Sequence, residues 1–178
     1  MGKPSPPEPS LLFTGILYHD NSSLSRAREM LVSSCGDIFL ESESYPWDYS
    51  VYYRDELGGP VNRAFIFFKN LIDPGILADV KLMTNDIEAA LSVKGKRTIN
   101  IDPGCLTLAK VVLASTKNYA HRIYLNKGIY AEVTLVFGDG TYKPHIFTYR
   151  DYQDIESVAV LLKAREMLKE MLDNAGFV

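Results

Sequence analysis

The chain is poor in the residues that staple small domains. Cys35 and Cys105 are the only cysteines in 178 residues. Two thiols make no disulfide framework and no four-cysteine zinc site, so a reducing compartment follows. A long hydrophobic run is also missing. The apolar stretch Leu11 to Tyr18 breaks at His19-Asp20, well short of the roughly 18 residues that a membrane span needs. The start, Met1-Gly2-Lys3-Pro4-Ser5-Pro6, has no charged-then-apolar signal layout, and Pro6 stands where a myristoylation pattern needs Ser or Thr. We therefore expect no membrane span and a cytoplasmic location. A strong excess of one charge is absent too. With 19 basic and 22 acidic side chains the net charge is −3, which argues against general RNA binding.

What remains is an ordinary globular composition, 47% hydrophobic and 23% charged. A chain of this length buries roughly 70% of its unfolded surface without staples. Pro4, Pro6, Pro7 and Pro9 crowd the first ten residues, so residues 1–10 are expected to form a disordered arm and residues 11–178 one domain.

Periodicity then gives the elements. Leu11 to Tyr18 reads as a buried strand. Ser22 to Cys35 reads as a helix with Leu24, Ala27, Leu31 and Cys35 on one face, stopped by Gly36. Asp37 to Glu43 and the Phe-rich Val61 to Lys69 read as strands separated by a long aromatic loop. Asp73-Pro74 caps a helix carrying Ile76, Val80, Met83, Ile87 and Leu91, and Arg97 to Ile101 is a strand entering a turn at Asp102-Pro103-Gly104. Leu106 to Thr116 fits either a strand or a short helix. His121 to Leu125, Ile129 to Phe137 and Thr141 to Thr148, parted by Asn126-Lys127-Gly128 and Gly138-Asp139-Gly140, read as a three-stranded meander. A last helix, about Asp154 to Asn174, buries Val158, Leu161, Leu162, Leu168 and Leu172. The fold class expected is α+β: a ferredoxin-like βαββαβ core, with its helices on one face, extended by the antiparallel meander and a C-terminal helix.

Charge is distributed unevenly. Residues 1–93 carry a net −6, residues 94–127 a net +6 and residues 128–178 a net −3. The middle segment holds Lys94, Lys96, Arg97, Lys110, Lys117, Arg122 and Lys127 against Asp102 alone. It reads as an anion site, with a solvated basic edge as the competing reading. By strand parity Ile129, Ala131, Val133, Leu135 and Phe137 share one face, and Tyr130, Glu132 and Thr134 the other. Asn100, Asp102, Arg122 and Tyr124 could join that polar face, which otherwise is an ordinary solvent-facing side of a sheet.

Known motifs are mostly broken. Ahead of Gly95-Lys96, Ala90 replaces the first P-loop glycine and Arg97 the hydroxyl residue; after Thr116-Lys117, Tyr119 replaces the acid of a guanine-recognition pattern. Glu41, Glu43 and Asp48 offer a weak cation site. Asp102 with Glu132 offers a better one, where magnesium would bridge to phosphate oxygens. His121, between Lys117 and Arg122, is a candidate proton-transfer group against the commoner structural histidine; His19 and His145 have no partner spacing. Tyr45, Trp47, Tyr49, Tyr52 and Tyr53 either pack their loop down or stack a base or sugar. Asn62 to Phe68 faintly suggests an RNA-binding aromatic strand but lacks its glycines.

The runs Asn100-Ile101-Asp102-Pro103-Gly104, Leu113-Ala114-Ser115-Thr116-Lys117, His121-Arg122-Ile123-Tyr124-Leu125 and Gly128 to Leu135 resemble a prokaryotic family, the domain of unknown function numbered forty-four sixteen. The likeness runs from Leu11 to the last helix, through Leu71-Ile72-Asp73-Pro74 and Thr148-Tyr149-Arg150-Asp151-Tyr152. Two positions depart from its pattern: Cys105 stands where an aromatic is usual and Asn118 where an acid is common. The resemblance implies a bacterial or archaeal protein and supplies no activity. Members are often labelled GTP-binding, whereas both nucleotide motifs tested above are broken in this chain.

The residues thus point to a phosphorylated small molecule or nucleotide bound through Lys96, Arg97, Lys117 and Arg122, oriented by Asn100, Asp102, Tyr130 and Glu132. For turnover, His121 and Glu132 are the expected catalytic groups, and Asp102 and Glu132 the expected magnesium ligands. An RNA-binding or protein-interaction module without catalysis is the alternative. Nothing in the residues fixes the oligomeric state.

Overall fold

A computed structural model of the chain describes residues 2–176. Its frame is one nine-stranded antiparallel sheet. In chain order the elements are β1 (Ser10–Tyr18), α1 (Asn21–Cys35), β2 (Ile38–Glu41), β3 (Tyr45–Trp47), α2 (Val51–Leu57), β4 (Val61–Ile72) and α3 (Leu77–Leu91). There follow β5 (Ile99–Leu106), β6 (Lys110–Ser115), β7 (Ile123–Asn126), β8 (Ile129–Gly138), β9 (Thr141–Pro144) and α4 (Ile155–Ala175). The strands lie in the order β2-β4-β1-β5-β6-β8-β7, with β3 also pairing β4 and β9 also pairing β8. Residues 2–9 form neither helix nor strand, and Ser10 is already a buried residue of β1. Met1, Phe177 and Val178, at the ends of the expected arm and domain, lie outside the described residues.

The two sheet faces are covered by different helices. Leu12, Ile16 and Tyr18 of β1, Ile66 and Phe68 of β4, and Ile99 and Ile101 of β5 pack with Ala27 and Leu31 of α1 and with Val80, Ile87 and Leu91 of α3. The opposite parity, Phe13, Phe65, Phe67, Leu113 and Leu135, packs with Leu161, Ala164, Leu168 and Leu172 of α4. Alternation along a strand is enough to produce this division. Among the described residues no helix is long and apolar enough to cross a membrane.

Four expectations are corrected. The aromatic loop contains β3 and α2, the latter capped by the Ser50 side chain and ended by Gly58 in a left-handed conformation. Asp102-Pro103-Gly104 is no turn but the middle of β5. Proline is tolerated there because β5 pairs with β6 only from Gly104 to Leu106; before that, β5 has an open edge on that side. Alternation along β8 breaks at an irregularity, where Val111 faces Leu135 but Val112 faces Val133. Leu135 therefore joins the α4-side core while Val133 points the other way. The last meander strand stops at Pro144, and a turn tied by Thr148 N–H to His145 O (3.0 Å) replaces its second half.

Candidate functional site

The parting of β5 from β6 leaves polar backbone to satisfy, and α3 supplies the partners. Glu88 Oε1 accepts the Ile101 N–H (2.6 Å) and Lys81 Nζ donates to the Ile101 carbonyl (2.9 Å). Two side chains thus replace a strand neighbour. Beside this gap lies a cleft of about 310 Å³, at the low end of ligand-pocket sizes. Its lining includes Arg63, Asn100, Asp102, Ser115, Lys117 and Glu132 from the sheet and strand ends. Trp47, Tyr52 and Tyr53 close one side, and Tyr149, Asp151 and Tyr152 another.

Three hydrogen-bonded clusters build it. In the first, Arg63, 2% exposed, pairs through Nη2 with Asp151, which also accepts the Trp47 indole N–H (2.9 Å). The Arg63 guanidinium lies over the Phe65 and Tyr152 rings, 5.1 and 4.9 Å from their centroids. Gly15 makes room for it: a methyl there would stand 2.6 Å from Tyr152 Oη and 2.8 Å from Arg63 Nη1. Arg63 Nε and Nη1 and the Tyr152 hydroxyl are buried without a hydrogen-bond partner among the described residues.

In the second cluster Arg97 donates to both Glu56 oxygens (2.9 and 2.7 Å), to Glu88 (3.1 Å) and to Asn100 Oδ1 (2.8 Å). Asn100 Nδ2 donates on to Asp102 (2.8 Å), whose other oxygen receives Lys81 (3.3 Å). Burial opposes ionisation of Asp102, but Lys81, Arg63 and Asn100 outweigh it and hold its carboxyl below the usual range. For Glu88 burial prevails over Lys81 and the Ile101 N–H, and its carboxyl is pushed up.

The third cluster centres on Glu132, 3% exposed. Its Oε2 accepts Arg122 Nε (2.6 Å) and lies 3.1 Å from His121 Nε2. Arg122 also donates to Ser115 Oγ (2.7 Å), Lys117 O (3.0 Å) and Tyr149 Oη (2.6 Å). Glu132 Oε1 has no partner among the described residues.

Of the residues singled out from sequence, Arg97, Asn100, Asp102, Lys117 and Glu132 line this cleft. Lys96 is exposed on the turn that joins Val93 to Lys96 and is not part of the lining. Tyr130 is also outside it, edge-on to Tyr124 with centroids 5.3 Å apart. Arg122 is not an open anion ligand: it is 8% exposed and makes four hydrogen bonds behind the wall. His121 stacks on Phe147 (4.4 Å between centroids) and opens onto a separate apolar groove with His145. The expected magnesium bridge does not fit. Asp102 is matched by Lys81 and Glu132 by Arg122, and no group of three or more His, Cys, Asp or Glu is placed to hold a metal among the described residues. Glu41 and Asp48 likewise pair separately, with Arg28 (3.0 Å) and Arg54 (2.5 Å). The RNA-strand reading also fails at its aromatics, since Phe65 and Phe67 are fully buried in the α4-side core.

Arg63, Lys81, Asp151 and Tyr152 were not singled out as site residues from sequence, whereas Trp47, Tyr52 and Tyr53 belong to the aromatic cluster read there as either packing its loop or stacking a base or sugar. One signal was available for Arg63: it shares parity with Phe65 and Phe67, so a charge had to face inward.

A family model described as "Domain of unknown function (DUF4416)" matches residues 8–168. No curated protein and no solved structure matches the chain.

Proposed function

The chain belongs to the family described as Domain of unknown function (DUF4416), and from the cleft we propose that it binds a phosphorylated small molecule or nucleotide. The observation that carries this reading is Arg63. A buried guanidinium with two unpartnered nitrogens is costly in a low-dielectric interior unless an acceptor arrives. A phosphate oxygen is such an acceptor, and the planar donor fork of arginine suits it. Lys117 adds a cation at the rim and has no ion pair among the described residues. For any turnover Glu132 is the proton-transfer candidate that lines the cleft, with His121 3.1 Å behind it on the separate groove.

The core is read as ferredoxin-like. Strand order β2-β4-β1-β5 and the shared face of α1 and α3 support that. Two free thiols, Cys35 and Cys105, support the cytoplasmic placement.

The test is a thermal-shift panel of sugar phosphates, polyphosphate, ATP and GTP, with and without magnesium, on wild type and Lys117→Ala. A ligand at about 100 times its Kd stabilises the fold by about 2.7 kcal/mol, which for a chain of this size raises Tm by roughly 5–11 °C. The shift is expected in wild type and reduced by more than half in Lys117→Ala. No shift with any compound overturns the proposal.

A protein-interaction module is the second reading. It is favoured by the edge strand β7 and its neighbours, where Ile123 is 71% and Ile146 90% exposed. It predicts association that Lys117→Ala leaves intact.

A further inference from the structure

The cleft's unpartnered atoms are of two kinds, and they select different parts of a ligand. Besides the Tyr152 hydroxyl, which can donate or accept, Arg63 Nε and Nη1 are donors, whereas Glu132 Oε1 is an acceptor only. Both side chains are more than nine-tenths buried, and both line the cleft. A bare phosphoryl group satisfies the first and repels the second.

Charge decides what Glu132 needs. Its carboxylate is already neutralised by Arg122 at 2.6 Å. The remaining Arg122 nitrogens are spent on Ser115, the Lys117 carbonyl and Tyr149. What Oε1 lacks is therefore a proton donor, not a counter-ion. An ammonium group there would set a second cation beside Arg122, while a hydroxyl supplies the proton and no charge.

The whole lining is balanced in the same way. Arg63, Lys81, Arg97 and Lys117 stand against Glu88, Asp102, Glu132 and Asp151. The first three cations are each ion-paired, with Asp151, Asp102, and Glu56 and Glu88. Lys117, the lining cation without an ion pair among the described residues, matches a phosphomonoester better than a triphosphate, whose charge would need a metal that these committed carboxylates are not free to hold.

We propose that the cleft selects a hydroxyl-rich phosphomonoester, a sugar or polyol monophosphate, with one ligand hydroxyl donating to Glu132 Oε1. This rests on the reading of the cleft as a phosphate site. Glu132 is the specificity-determining residue, and Arg122 positions it by fixing Oε2.

Calorimetric titration at pH 8 of the full chain with ribose 5-phosphate, glucose 6-phosphate, glycerol 3-phosphate, methyl phosphate and ATP tests this. At that pH methyl phosphate is a dianion with no proton to donate. Wild type is expected to bind at least one of the three hydroxylated esters at least fivefold more tightly than methyl phosphate, and more tightly than ATP. In Glu132→Gln the amide oxygen must turn to Arg122 Nε, so the NH2 group replaces the acceptor in the cleft, and the preference is expected to fall below threefold.

If methyl phosphate binds within fivefold of every hydroxylated ester, the hydroxyl selection is wrong while the phosphate site stands. If ATP binds tightest, the site is a nucleotide site and this inference fails alone. If no phosphate compound binds, both readings fail. A Glu132→Gln variant that keeps the wild-type preference also overturns the role of Glu132. Should that variant not fold, Glu132→Asp, one methylene short of the contact, is read against the same threefold limit.

Discussion

Gly15→Ala tests the architecture on which the site depends. Gly15 needs no left-handed backbone; what it provides is space above β1. An alanine Cβ would lie 2.6 Å from Tyr152 Oη, 2.8 Å from Arg63 Nη1 and 3.4 Å from Phe65 Cε1. The first two contacts are below any real Cβ approach, so the Arg63 guanidinium or Tyr152 must move. Both are at most 2% exposed in close-packed surroundings. Overpacking alone costs about 1–3 kcal/mol. Loosening the buried Arg63–Asp151 pair adds to that, up to the roughly 3–5 kcal/mol of losing such a pair outright. Alanine returns about 0.4–1 kcal/mol by restricting the unfolded chain. The net expectation is a loss of about 2–4 kcal/mol, or roughly 4–16 °C in Tm, together with loss of the phosphate-induced shift. Gly138→Ala is the control: its nearest neighbours are Lys143 Cε and Cδ at 3.9 and 4.0 Å, and its Tm should stay within about 2 °C of wild type. Paired melting curves decide. If Gly15→Ala melts with wild type and still responds to ligand, Arg63 does not occupy the space over β1 and the argument for the site collapses.

Arg122→Ala is expected to destabilise the fold by about 3–5 kcal/mol in urea titrations, because it strips a buried partner from Glu132 and removes donors to Ser115, Lys117 O and Tyr149; a variant as stable as wild type would make Arg122 a free ligand instead. Asp20 caps α1 through Ser23 N–H (2.9 Å) and the Ser22 and Ser23 hydroxyls, which lower its pKa from 3.8 to about 2. A depressed folded-state pKa means its contribution is complete above about pH 4 and is lost as pH falls toward 2. Asp20→Ala should therefore cost about 1 kcal/mol at pH 7 and progressively less as pH falls through 2, and a cost independent of pH would refute the cap. Trp47 is the only tryptophan, lies in the cleft wall and donates to Asp151. Its fluorescence should change saturably with ribose 5-phosphate, and flat emission across a titration that calorimetry shows to saturate would move the ligand elsewhere.

Local pattern made most of the fold legible. The strand Leu11 to Tyr18, the helix after Asp73-Pro74 and the glycine turns at 126–128 and 138–140 all follow from period and turn chemistry, and they stand as β1, α3 and the ends of β8. Two of the misreadings share one cause, which is that a neighbouring strand outranks local preference. Pro103 reads as a turn until β1 is seen to pair with it at Thr14 while β6 stays away. The alternation of β8 reads as unbroken until the irregularity opposite Val111 and Val112 reverses it. Val51 to Leu57 has too few residues for a helical period to show, so α2 stays hidden among its aromatics.

The site was legible in its residue types and misread in its charges. A run of seven basic residues against one acid looks like an open anion trap when only neighbours in sequence are counted. In the fold Arg97 is claimed by Glu56, 41 residues away, and by Glu88, and Arg122 by Glu132. Long-range carboxylates had already spent the charge, so of these positions Lys117 alone keeps an unpaired cation in the lining. Arg63 shows the opposite case. It stands alone in an apolar strand and attracts no attention as a cluster, yet its parity with Phe65 and Phe67 drives it inward, where a guanidinium must find partners or remain short of them. It finds one in Asp151, and its Nε and Nη1 are left without a partner among the described residues. The unmet demand of one buried arginine is therefore a sharper sign of a ligand than a surplus of surface lysines.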